Sequence, residues 1–210
     1  MKISDRIQLL KTKLEAQRKK DTKLEVFGAG DNPYYRMEGH HYKLNKPLTE
    51  KEIEATEKLI GVVLPEEYRE FLKLAGDGGA GPAWGIFELK DAHPDKAFLK
   101  EYPDFCSMEF PYDNVYADAI MEDIKDDLSL RGPFDDPFGG FIKLANYGHD
   151  LSAILITSGE QYGKMWMLDE NQSITPFYQN IKDREASVGF LDWYENWLDE
   201  TLPDAPQPQF

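Results

Sequence analysis

The chain places five glycines and a proline within ten residues: Gly76-Asp77-Gly78-Gly79-Ala80-Gly81-Pro82-Ala83-Trp84-Gly85. Glycine loses the most backbone freedom on folding, and proline has no N–H to donate, so neither a helix nor a strand runs through such a segment. Before it, Tyr68, Phe71, Leu72 and Ala75 recur at helical spacing. After it, Ile86-Phe87-Glu88-Leu89 has a strand-like pattern. A dinucleotide-binding loop needs the opposite order, a strand and then a helix whose N-terminus faces the phosphates. No Gly-Lys-Ser/Thr follows either, which excludes a P-loop. The glycines are expected to stop a helix, with Gly76 as a left-handed terminal residue, and to let backbone pass close to another element. Trp84 is expected to anchor the segment.

The flanks are easier to read. Ile3, Ile7, Leu10 and Leu14 predict an amphipathic helix over residues 3–20 whose basic face docks on the body or on a partner. Residues 28–47 are rich in Gly, Asn and Pro and are expected to loop, with the rings of Tyr34, Tyr35 and Tyr42 pinning them. Thr49 and Glu52 form a capping-box pattern before a helix with Ile53, Thr56, Leu59 and Ile60 on one face and Gly61 past its end. Pro65 suits the first turn of the next helix. Short helices are expected over residues 95–102 and 115–128. The apolar runs 141–144, 152–157, 164–168 and 174–177, parted by turn residues, predict a strand meander. Ser187 is placed to cap a closing helix that carries Phe190, Leu191, Tyr194, Trp197 and Leu198. The order predicts an α+β fold with a mostly antiparallel sheet of about five or six strands packed by helices. Residues 1–25 are expected as a helical extension, 26–200 as one domain, and 201–210 as a mobile proline-rich tail.

Charge narrows the partners. The net charge is −15, yet residues 1–25 carry eight basic and four acidic side chains. The excess of acid therefore lies in the body, which repels phosphate backbones and attracts basic proteins. Residues 101–140 hold eleven acids against Lys125 and Arg131. Glu122, Asp123, Asp126 and Asp127 share a helical face, and Asp135 and Asp136 follow. Two readings stand for these acids: a solvated face, or a docking surface for a basic partner. No apolar run reaches the roughly 18 residues of a membrane span, and Cys106 is the only cysteine, so no internal disulfide can form. A cytoplasmic protein is expected.

Catalytic and metal chemistry find little support. His40 and His41 are adjacent and make a poor chelate, and His93 and His149 stand apart. Cys106 sits among acids, which raise a thiol pKa. No serine lies in a nucleophile-elbow pattern, and no EF-hand spacing is present. No cofactor is expected.

Taken together, the segments around Phe27-Gly28-Ala29, Tyr42-Lys43-Leu44-Asn45 and Leu48-Thr49-Glu50-Lys51-Glu52-Ile53 form a pattern. It continues through Leu64-Pro65-Glu66-Glu67-Tyr68 and the glycine segment to Ile154-Leu155-Ile156-Thr157, Gly163-Lys164-Met165-Trp166 and the closing aromatic helix. The pattern resembles the SUKH superfamily, which includes the fungal Smi/Knr cell-wall assembly regulators and many bacterial immunity proteins, and spans residues 27–198. Ala83-Trp84 stands where two aromatics are frequent, and Tyr147-Gly148-His149 where a polar Gly-rich turn is common. The resemblance implies an α+β domain without enzymatic activity, in bacteria one that neutralises toxins, often nucleases. It implies no catalytic set. Pro65, Tyr68, Gly76, Gly79, Gly81, Pro82, Trp84, Gly85 and Trp166 look like its fold determinants. The expected function is binding of a basic toxin domain, with Asp123, Asp126, Asp127, Asp135 and Asp136 as contacts. The alternative is a scaffold or regulatory module of the cell-wall-regulator type. An unrecognised hydrolase would need a cleft with convergent carboxylates.

Overall fold

The computed structural model describes residues 1–34, 36–112, 138–148, 151–169, 174–177 and 187–201. Its helices are α1 (Ile3–Lys20), α2 (Glu50–Ile60), α3 (Glu66–Leu74), α4 (Leu89–Ala92), α5 (Lys96–Glu101) and α6 (Phe190–Glu200). Its strands β1 (Phe141–Gly148), β2 (Leu151–Ile156), β3 (Met165–Leu168) and β4 (Ile174–Pro176) form one antiparallel sheet in the order β1-β2-β3-β4. The fold is α+β.

Four strands stand among the described residues where five or six were expected. One difference among the described residues lies in the glycine segment. Leu44 bridges Gly79, Gly79 bridges Ile86, and Ile86 bridges Ala145 of β1, each as a single antiparallel pair. The sheet thus continues sideways through one-residue rungs. Residues 86–89 do not form the expected strand, because Leu89 already opens α4, where its N–H donates to the Asp77 carboxylate at 2.7 Å.

Glycine is required where these rungs cross. The Gly79 N–H donates to the Ile86 carbonyl (2.9 Å), and the Ile86 N–H returns the bond (2.8 Å). Gly79 has φ +95°, and a Cβ there would lie 2.4 Å from the Lys43 carbonyl oxygen. Gly76 does not take the expected left-handed conformation. Ala75 caps α3, and Gly76 is needed instead because a Cβ would sit 2.5 Å from the Asn45 carbonyl oxygen. Gly85 closes a turn on Pro82 with its N–H (3.0 Å). Trp84 rests half-buried against exposed Phe27, with ring centroids 5.0 Å apart.

The helices assemble around this loop. The capping box of α2 forms as read, and Gly61 ends the helix at φ +75°. Leu59 points outward, because only Ile53 and Ile60, two turns apart, reach the core. Pro65 is the N-cap of α3. Tyr68 is fully buried against Phe190, and the Tyr194 hydroxyl donates to the Ala80 carbonyl at 3.0 Å, tying α6 to the glycine loop. Ser187 does not cap α6. Gly189 is the N-cap, and the Glu67 carboxylate accepts the Leu191 N–H at 3.1 Å, as suits an anion at a helix N-terminus. Ser187 instead donates to Gln161.

α1 docks within the same chain. Ile7, Leu10 and Leu14 are buried, and Arg6 reaches Asp192 and Glu195 while Lys13 reaches Glu195 and Asp199 on α6. Burial of Glu195 opposes its ionisation, but pairing with Lys13 and Arg6 prevails and holds its carboxyl below the usual range. In the loop after α1, Tyr42 is buried and its hydroxyl donates to Asp21 at 2.6 Å, whereas Tyr34 is exposed and Tyr35 lies outside the described residues.

Two measurements test this packing. Gly79→Ala should lose about 3 kcal/mol of stability, because it combines a positive-φ penalty with a backbone clash. Gly61→Ala, with no atom within 4 Å of the added methyl, should lose only about 1 kcal/mol in the same denaturation series. Equal losses would mean that the rungs do not constrain the fold. The second concerns His40, which is buried with its Nδ1 accepting the Tyr42 N–H at 3.0 Å. Burial depresses its pKa to about 4 from the ordinary 6.5. Between those values the unfolded chain binds a proton that the folded chain does not, so stability should fall as pH drops from 6.5 towards 4. His40→Asn, which keeps an acceptor, should flatten that slope; an unchanged slope would contradict the assignment.

Candidate functional site

The glycine segment offers no anion cradle. The N–H groups of Gly79, Ala80, Gly85 and Ile86 are all consumed by backbone carbonyls. The histidines do not converge: His40 is buried, His41 pairs with Asp31 at 3.0 Å, and His93 Nδ1 meets the Pro94 carbonyl at 2.7 Å. His149 lies outside the described residues. Among the described residues no group of three or more His, Cys, Asp or Glu could hold a metal ion.

Cys106 is fully buried beneath the sheet. Its carbonyl accepts the Thr157 hydroxyl at 2.7 Å, and burial pushes its thiol up to about 12. The direction is the one expected, but the cause is burial. At pH 8 a thiol reagent should therefore label Cys106 only as fast as the chain opens, with full labelling in denaturant. Labelling within minutes in native buffer would contradict this.

Among the described residues a cleft of about 800 Å³ lies between α4–α5 and one face of β1–β2. Register explains which residues reach it. Lys143 pairs with Ile154, and a shift after Lys143 then sets Ala145 against Ala153, so that Asn146 pairs with Ser152 and Ser152 with Leu168. Side chains alternate faces along a strand, so the shift returns Lys143, Asn146, Ser152 and Leu168 to one face. All four line the cleft.

Its walls are aromatic. Phe98 meets Phe105 edge-on at 5.1 Å, Phe105 meets Phe141 at 5.2 Å, and Phe138 lies 5.5 Å from Phe141. Beyond Phe138 the seam runs through Phe110 to Trp166. Such ring pairs contribute about 0.5–1.5 kcal/mol each beyond area burial. The rim is polar. Asp91 is exposed at the end of α4, Asp95 caps α5 by accepting the N–H groups of Ala97 and Phe98 at 2.8 Å, and Asp169 follows β3. The lining residues thus include three carboxylates and one ammonium, Lys143. Asp77 and Glu200, the carboxyls that burial raises above the ordinary range, do not line it.

With models of known protein families the chain matches the SMI1 / KNR4 family (SUKH-1) over residues 47–184. The chain belongs to this family. No curated protein and no solved structure gives a significant match. The matched stretch is narrower than the resemblance over 27–198, and it takes in the glycine loop, every lining residue of the cleft and the acidic run. No described helix is long and apolar enough to cross a membrane.

Of the residues expected at a binding surface, Asp123, Asp126, Asp127, Asp135 and Asp136 lie outside the described residues, as does the expected helix over 115–128. On either side of residues 113–137 the rings of Tyr112 and Phe138 pack edge-on at 5.4 Å, and Phe138 lines the cleft. The cleft residues Asp91, Phe98, Phe141, Lys143 and Asp169 were not singled out by sequence. The one available signal was the density of phenylalanine between positions 98 and 141.

Proposed function

We propose that this chain is a non-catalytic protein-binding domain of the immunity type, which binds a basic toxin domain in the cytosol and blocks it by occlusion. The observation that carries the reading is the concentration of acid within the family-matched stretch: eleven acids against two bases over residues 101–140. An acidic surface of this kind steers a basic partner and discriminates against acidic ones. The contacts proposed are Asp123, Asp126, Asp127, Asp135 and Asp136. Two of the reactive side chains, the Cys106 thiol and the His40 ring, are buried in the core. A regulatory scaffold of the cell-wall-regulator type is the second reading, favoured by the family description itself.

Capture of the partner from the native host, followed by rescue of cells expressing it, separates the two readings. Replacing the five aspartates by asparagine should weaken partner affinity by about tenfold or more and flatten its salt dependence. Unchanged affinity would remove the acidic run from the interface, and a captured partner without toxicity would favour the scaffold.

A further inference from the structure

The cations of α1 fall in two rows. At about 100° per residue, Arg6 and Lys13 share one flank of the buried stripe Ile7, Leu10 and Leu14, and Lys11 and Arg18 share the other. The first row grips the carboxylates of α6. The second row turns towards the end of α3 and the loop at Lys43. Lys11 donates to the Leu74 carbonyl at 3.0 Å, and with Arg18 and Lys43 it lines a basin of about 260 Å³. The one carboxylate among the lining residues is Glu15. It meets Arg18 at 3.7 Å with both side chains about half-exposed, a pair of little strength. Three cations from two separate segments thus surround an apolar floor of Leu14, Leu44 and Ala75. Compensation of the helix C-terminus accounts for Arg18 in the last turn. It does not account for Lys11 in mid-helix or for Lys43 beyond the helix.

We propose that this basin docks an acidic segment of a protein partner, in which a glutamate lays its methylenes on Leu14, Leu44 and Ala75 and its carboxylate is held by Arg18 and Lys43. Charge complementarity selects the occupant. The cations reject a basic side chain, and the apolar floor favours a carboxylate on an aliphatic stem over a bare hydrated anion. The net charge of −15 does not forbid such an occupant. At about 0.15 M salt a Debye length of about 8 Å screens the acidic body and leaves the local cations to decide. The basin is separate from the five aspartates and opposite in sign, so it stands or falls independently of the toxin-binding reading. α1 thus docks in cis by one basic row and presents the other.

The test uses the full chain at about 0.15 M salt and a labelled hexapeptide alternating glutamate and leucine, with two controls, lysine for glutamate and serine for leucine. The parent peptide should bind and shift the amide resonances of Lys11, Arg18, Lys43 and Ala75, and both controls should bind about tenfold more weakly. Arg18→Glu with Lys43→Glu should weaken the parent peptide by a similar factor, while Glu15→Gln, which removes the basin's own carboxylate, should strengthen it. Lys51→Glu, an equally exposed lysine on α2, should change binding by less than about twofold, because it lies on another element. Variants that act in opposite directions at exposed positions cannot be mimicked by a folding defect. Equal binding of the lysine peptide, shifts confined to other surfaces, or no binding would overturn the inference. So would inorganic phosphate that reproduces the shifts while the serine control binds as tightly as the parent, which would make the basin a simple anion site. Sedimentation showing a dimer that Lys43→Glu abolishes would name a second copy of the chain as the occupant and overturn it as well.

Discussion

Everything in this fold is arranged around the passage of one backbone between two others at Gly79. Leu44, Gly79, Ile86 and Ala145 are joined by three successive rungs, and the chain at Gly79 lies so near Lys43 that a single methyl group would collide with its carbonyl. Through those rungs the residues before α2 are hydrogen-bonded to the loop, and the loop to β1. The Tyr194 hydroxyl, bonded to the Ala80 carbonyl, brings α6 to the same point. The sheet is therefore wider than its four strands, and its lateral extension crosses at Gly79 because no larger residue fits the spacing there.

Two aromatic seams then occupy the space around the sheet. One joins Tyr68, Phe71, Phe190, Tyr194 and Trp197 between α3 and α6 and is sealed on its outer side by α1, whose Arg6 and Lys13 grip the carboxylates of α6. The other runs from Phe98 across Phe105 and Phe141 to Phe110 and Trp166. It leaves one end open, and that end is the cleft. One seam is closed and holds the fold, and the other is open at the cleft.

Much of this was legible in the sequence because it rests on local rules. The period of Ile7, Leu10 and Leu14, the Thr49–Glu52 box and the turn-separated runs of the meander each encode their own geometry. Less legible was whatever depends on a distant partner. Gly76 read as a helix terminator but serves a close approach to Asn45, which no local pattern reports. Ser187 read as a cap, yet Glu67, 124 positions away from Leu191 in sequence, accepts that N–H instead. The cleft needed the register shift after Lys143, which decides which side chains share a face and cannot be seen in the composition of β1. The acids at 123, 126, 127, 135 and 136 were conspicuous by charge, and charge is what continues to recommend them as contacts.

If the glycine loop were a ligand cradle, it would open easily; as the junction of the sheet it opens only when the sheet does. Native-state hydrogen exchange at Gly79, Ile86 and Phe87 decides between these most directly, with the Ile154 and Leu155 amides of β2 as the reference. The structure predicts that all five exchange with the same free energy and the same denaturant dependence, that of global unfolding. Rapid, denaturant-independent exchange at Gly79 and Ile86, with β2 still protected, would contradict it.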